Sequence, residues 1–141
     1  MKDDSHLFPG DRQPTIRIVA MPKDTNSAGH IFGGWIMSQL DIAGSIVAVE
    51  YANSRVVTVA VTSMEFHKPV FVGDLVSCFA RIEKLGRSSI TVKVEVFAQR
   101  NRDEEIQIIK VTEAVTVYVA VDRDGKPKAL PARGANFSHY F

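Results

Sequence analysis

The sequence predicts an α+β domain in which one long, apolar helix packs on an antiparallel β-sheet. Residues 34–51 are mostly good helix formers without a proline. Four later stretches carry the valine, threonine and period-two alternation of strands. Short turns join those strands, which suits antiparallel neighbours rather than crossover connections. At 141 residues the chain has the length of one domain. No internal repeat, low-complexity tract or proline-rich linker divides it.

Taken in order, residues 1–13 are polar, contain Pro9 and Gly10, and read as a tail, leaving a domain over residues 14–131. Residues 15–20 alternate weakly and read as a short strand that Pro22 ends. Turn formers from Lys23 to Gly29 make a structured loop ahead of Gly33 and Gly34, where the helix begins. Strands are expected over residues 56–66 and 75–85, and again where Ile90, Val92, Val94 and Val96 alternate with Thr91, Lys93, Glu95 and Phe97. Turns at Pro69, Gly73-Asp74 and Gly86 separate them. A last strand runs over residues 108–121, with Ile109, Val111, Val115, Val117, Val119 and Val121 on one face. It closes at Asp122-Arg123-Asp124-Gly125, and residues 132–141 read as a second tail.

Hydrophobic residues at 45% and charged residues at 23% match soluble globular proteins. The 17 basic and 16 acidic residues leave a net charge of +1 without a long run of either sign, which argues against nucleic-acid or membrane-surface binding through gross charge. No signal-peptide pattern and no membrane-length apolar run occurs, so a cytoplasmic protein is expected. The single cysteine, Cys78, has no intrachain disulfide partner and reads as core or strand filler. His6, His67 and His139 show no ligand spacing, and no metal is expected.

On a helical projection, Met37, Gly44, Ser45 and Ala48 fall near Asp41, while aliphatic residues occupy both flanks. Only Gln39 and Glu50 mark a polar back. A helix apolar over most of its circumference is buried, so a sheet should wrap it and a second subunit could cover the remainder. Asp41 then needs a partner, a raised pKa or a water-filled pocket, because an unpaired buried carboxylate costs several kcal/mol. Its partner could be a neighbour such as Ser38 or Ser45, or Asp41 could be catalytic. The free N–H groups at Gly33 and Gly34 form an anion-stabilising end that could hold an oxyanion, or simply a tight turn into the helix. His30 is a loop histidine. Arg87-Ser88-Ser89 offers a guanidinium and two hydroxyls, a candidate phosphate grip or a polar turn. Glu113 interrupts the valine face as a buried pair, an interface contact or a bulge.

The run Asp24-Thr25-Asn26, followed by Gly29-His30-Ile31-Phe32-Gly33-Gly34-Trp35-Ile36-Met37-Ser38-Gln39-Leu40-Asp41, resembles the hot-dog-fold acyl-CoA thioesterases, in particular the YciA-like branch. The resemblance continues through residues 55–61, Lys68-Pro69, Val72-Gly73-Asp74, Gly86-Arg87-Ser88-Ser89 and Val119-Ala120-Val121-Asp122, with Gly125-Lys126-Pro127. It implies a long helix wrapped by an antiparallel sheet, and hydrolysis of acyl-CoA to free acid and CoA. It also implies a homo-oligomer of dimers, often a trimer of dimers, with active sites at the dimer interface. Under it, Asp41 is the catalytic carboxylate, Gly33 and Gly34 of the opposite protomer polarise the carbonyl, and Arg87, Ser88 and Ser89 contact the CoA phosphates. Thr58 becomes a pocket residue for the same ligand. Relatives commonly carry Asn or Asp where this chain has His30, which could still hydrogen-bond water or the carbonyl and would add pH dependence. No cofactor is implied beyond the coenzyme A of substrate and product. A non-catalytic acyl-CoA-binding oligomer and, through His30, a dehydratase are the other activities this fold admits.

Overall fold

The computed structural model describes residues 8–10 and 12–141; readings that fall on the other residues, His6 among them, lie outside the described residues. The chain runs through β1 (Ile16–Val19), α1 (Gly33–Ala52), β2 (Arg55–Phe66), β3 (Leu75–Leu85), β4 (Ser89–Arg102) and β5 (Glu105–Val121), and ends in a 3-10 helix at Ala135–Tyr140. The five strands form one sheet in the order β1-β3-β4-β5-β2, and every neighbouring pair is antiparallel. α1 lies across the face of this sheet, touching β2, β3, β4 and β5. The α+β architecture expected from the sequence is the one observed.

The core forms where the buried side of α1 meets the sheet. Leu40, Ala43, Val47 and Ala48 pack against Val76, Ile82, Ile90, Val92, Val94 and Val96, all essentially inaccessible to solvent. α1 stops at Asn53, whose left-handed backbone (φ 51°, ψ 40°) turns its N–H back to the carbonyl of Val49 at 2.8 Å.

Three expectations are revised. The valines of β5 do not share one continuous face. Where Val96 and Phe97 of β4 oppose Thr112 and Lys110, the register slips at Val111 and breaks the alternation. Beyond that bulge Thr112, Ala114, Thr116, Tyr118 and Ala120 are buried, while Val115, Val117 and Val119 are half-exposed. Gln39, read as part of a polar back, is buried. Finally, both expected tails are partly docked. Phe8 packs on Phe79 and Phe97, with ring centroids 5.4 and 5.3 Å away. Arg133 donates from Nε and Nη2 to the carbonyl of Tyr51 at 2.9 and 2.8 Å, seating Phe137 edge-on against the Tyr51 ring at the end of α1.

Candidate active site

Asp41 stands in the middle of α1, half-buried beside β2 and β5. Sheet register sets its partners. Thr58 of β2 lies opposite Tyr118 of β5, which lies opposite Ile90 of β4, so the three share one cross-strand row and one face. From that row the Thr58 hydroxyl donates to Asp41 Oδ1 at 2.9 Å, and the Tyr118 hydroxyl lies 3.0 Å from the same oxygen and 2.9 Å from the Asp41 carbonyl. Ser38 and Ser45, the partners suggested by helical spacing, bond instead to the carbonyls of Gly34 and Ile42. The carboxylate is thus anchored through one oxygen by two hydroxyls. Thr58, expected as a contact for the ligand, has its hydroxyl on Asp41.

Burial pushes the Tyr118 phenol well above its ordinary pKa. The neighbouring Thr116 hydroxyl opposes that shift, and the negative charge of Asp41 adds to it. Tyr118 therefore keeps its proton and acts as a donor.

The loop before α1 is organised by the Asp24-Thr25-Asn26 run. Asn26 Oδ1 accepts the N–H groups of Ala28 and His30 at 2.9 and 3.1 Å, and the Asp24 carbonyl accepts the N–H of Phe32 at 3.0 Å. Phe32 is the N-cap, with no side-chain cap, and its carbonyl takes the N–H groups of Trp35 and Ile36. The N–H groups of Gly33 and Gly34 precede the first intrahelical donors, Trp35 and Ile36. An open pocket of about 360 Å³ lies here, lined by His30, Gly33, Ile36, Phe66, His67 and Lys68 among others. His30 is exposed and meets the Phe71 ring edge-on at 5.1 Å.

Within one chain, the structure does not bring all the candidate residues together. Gly33 and Asp41 are eight residues apart on a straight helix, about 12 Å along the axis. His30, Gly33 and Gly34 gather at one end, and Asp41 with Thr58 at mid-helix.

Arg87 and Ser88 lie in the β3–β4 turn, and Ser89 opens β4. Ser89 pairs with Val119, one residue from the Tyr118 row, so the turn lies at the Asp41 end of the sheet. It is fixed by main-chain bonds from Leu130 N–H to the Arg87 carbonyl (2.8 Å) and from Ala120 N–H to the Ser88 carbonyl (2.9 Å). The Arg87 side chain is left exposed. Glu113 is tied to Lys93 and Lys110, each at 3.3 Å, on the outer face of the sheet and away from this site.

Other motif residues prove structural. Asp74 is buried, receives Arg100 Nε and Nη2 at 3.1 and 2.7 Å, and accepts the N–H of Phe71 at 2.9 Å. Cys78 is buried in the core. Among the described residues no three His, Cys, Asp or Glu side chains gather as a metal set, and no helix is long and apolar enough to cross a membrane.

Sequence reasoning missed Tyr118 and the anchoring role of Thr58. A signal existed: Tyr118 is the one bulky residue on a β5 face otherwise made of Thr112, Ala114, Thr116 and Ala120, and Gly44 stands one helical turn past Asp41.

Residues 28–105 match the thioesterase superfamily. The chain is 54% identical over 120 residues to the acyl-CoA thioester hydrolase YciA of Salmonella typhimurium, covering 84% of this chain and 90% of that protein. Among solved structures it resembles a hexameric hotdog-fold thioesterase of Campylobacter jejuni, with a TM-score of 0.82 and 48% identity over 85% of this chain and 91% of that one. A hexameric broad-specificity acyl-coenzyme A thioesterase gives a TM-score of 0.81 and 48% identity, covering 90% of this chain and 89% of the other.

Proposed function

Because the chain belongs to the thioesterase superfamily, we propose that it hydrolyses acyl-CoA thioesters to free carboxylic acid and CoA, with Asp41 as the reacting carboxylate. The observation that carries this reading is the anchoring of Asp41: two hydroxyls hold Oδ1, and Oδ2 accepts no hydrogen bond among the described residues. A carboxylate fixed in this way has one oxygen left for chemistry. Oδ2 either takes a proton from the water that attacks the thioester carbon, with the C–S bond breaking to release CoA thiolate, or attacks that carbon itself, expelling CoA thiolate and leaving an acyl–aspartyl anhydride that water hydrolyses to the free acid. Heavy-oxygen label from water entering the Asp41 carboxylate in a single turnover identifies attack by Oδ2 followed by water addition at the aspartyl carbon of the anhydride.

The oxyanion formed at the carbonyl needs N–H donors, which the start of α1 supplies at Gly33 and Gly34. One chain holds these donors too far from its own Asp41. The complete site is built from two protomers, each giving its helix start to the carboxylate of the other. Support comes from β2, a 12-residue edge strand, and from the apolar side chains exposed along it and along α1: Val57, Val59, Val61, Met37, Ile42 and Val49. A twofold pairing of these surfaces runs the two helices antiparallel, and such dimers would assemble further into a trimer of dimers. Arg87, with Ser88 and Ser89, grips the CoA phosphates at the Asp41 end of the sheet. His30 faces the helix-start pocket, where it contacts water or the carbonyl.

The test is thiol release from short, medium and long acyl-CoAs by wild type and Asp41→Asn at matched folding and oligomer size. Wild-type turnover that is lost in Asp41→Asn supports the reading. Undiminished turnover in the folded variant contradicts it.

A further inference from the structure

Tyr118 occupies the centre of the cross-strand row Thr58–Tyr118–Ile90 and is wholly buried. Its hydroxyl is its one polar side-chain atom; it lies 3.0 Å from Oδ1 and 2.9 Å from the main-chain carbonyl of Asp41, with the Thr116 hydroxyl as its other neighbour. A buried phenol of this kind must find a partner, and the charged one gives the stronger bond. Space for that contact comes from Gly44. A Cβ there would overlap the Tyr118 hydroxyl and come within 2.9 Å of the Thr116 hydroxyl and 3.0 Å of Tyr118 Cζ. The glycine one turn beyond Asp41 is what lets the phenol of β5 reach the helix. Thr58 adds the second bond to Oδ1 from the open side of the site.

We propose that Tyr118 is a positioning residue for the hydrolysis: its buried hydroxyl, seated over Gly44, fixes Asp41 Oδ1 so that Oδ2 alone is presented to the reacting centre. The inference rests on the reading that Asp41 is the reacting carboxylate. Without the phenol only the exposed Thr58 hydroxyl restrains the carboxylate, and its rotation moves the reacting oxygen. A displacement of about 1 Å at a reacting atom costs on the order of a hundredfold in rate.

The experiment measures kcat and KM on an acyl-CoA for Tyr118→Phe, Asp41→Asn and the double variant, each checked for fold and oligomer size. Tyr118→Phe should lower kcat by about tenfold to a hundredfold while KM stays near the wild-type value. In the Asp41→Asn background it should lower kcat no further. Gly44→Ala, which displaces the same hydroxyl and keeps the phenol, is the second route should Tyr118→Phe fail to fold, and it should give the same loss in kcat. Wild-type kcat in folded Tyr118→Phe, a loss confined to KM, or an equal further loss on Asp41→Asn would each overturn the inference. Wild-type kcat in Asp41→Asn alone would instead overturn the reading beneath it.

Discussion

Asp41 was visible in the sequence because a carboxylate interrupts an otherwise apolar helix, and physical chemistry demands an explanation for it. Its partners were not visible. The bonding residues stand 17 and 77 positions away, and helical spacing reports only neighbours three or four apart. Ser38 and Ser45 looked eligible on that basis, yet both hydroxyls turn back to helix carbonyls. Cys78 was legible as filler, since one cysteine in a strand offers neither a disulfide nor a metal set. Burial pushes its thiol up to about 12, so the side chain remains a neutral thiol near pH 8. Folded protein should therefore react negligibly with an aromatic disulfide reagent over minutes, and one thiol per chain should react promptly in denaturant. Rapid labelling of the native protein would contradict this placement.

The elements followed their local signals where those signals were regular. The helix and the first three strands lie within a residue or two of their expected bounds because proline, glycine and valine patterns punctuate them. The β4–β5 hairpin was shorter in expectation. It turns at Asp103 and Glu104, whose φ angles of 53° and 64° suit a tight hairpin turn but whose identities lack the glycine that usually announces one. The single face expected of the β5 valines is broken for a related reason: a bulge at Val111 shifts the alternation, and no residue type flags it. Between elements, the Asp74–Arg100 pair ties the β2–β3 connection to β4, with Arg100 also donating to the Pro69 carbonyl at 3.2 Å. Removing the guanidinium strands a buried carboxylate, so Arg100→Met should cost about 3–5 kcal/mol. Urea unfolding measures this directly, and an unchanged midpoint would show that the pair does not brace the fold.

The whole molecule is shaped to associate. An almost wholly apolar α1 implied a second covering surface, and in the folded chain the sheet covers one side while Ile42 remains 46% and Val59 54% exposed. Which strand would sit beside that helix could not be read from the sequence, since the order β1-β3-β4-β5-β2 is set by pairings between distant segments. A charge placed at the proposed contact should break it. Val59→Arg is expected to shift light scattering toward single chains and to abolish turnover with the assembly; an intact, active oligomer would place the contact elsewhere. The central claim is that each site joins Asp41 of one protomer to the helix start of another, and subunit complementation tests it most directly. Gly33→Pro removes one N–H donor while suiting the first helical position, because Phe32 already has the extended ψ of 137° that a following proline requires. Asp41→Asn and Gly33→Pro should each be nearly inactive alone. Unfolded and refolded together, they should recover about a quarter of wild-type turnover, since half of randomly formed pairs are mixed and each mixed pair holds one complete site. A mixture no more active than its parents, with mixed oligomers demonstrated, would contradict a site shared between protomers.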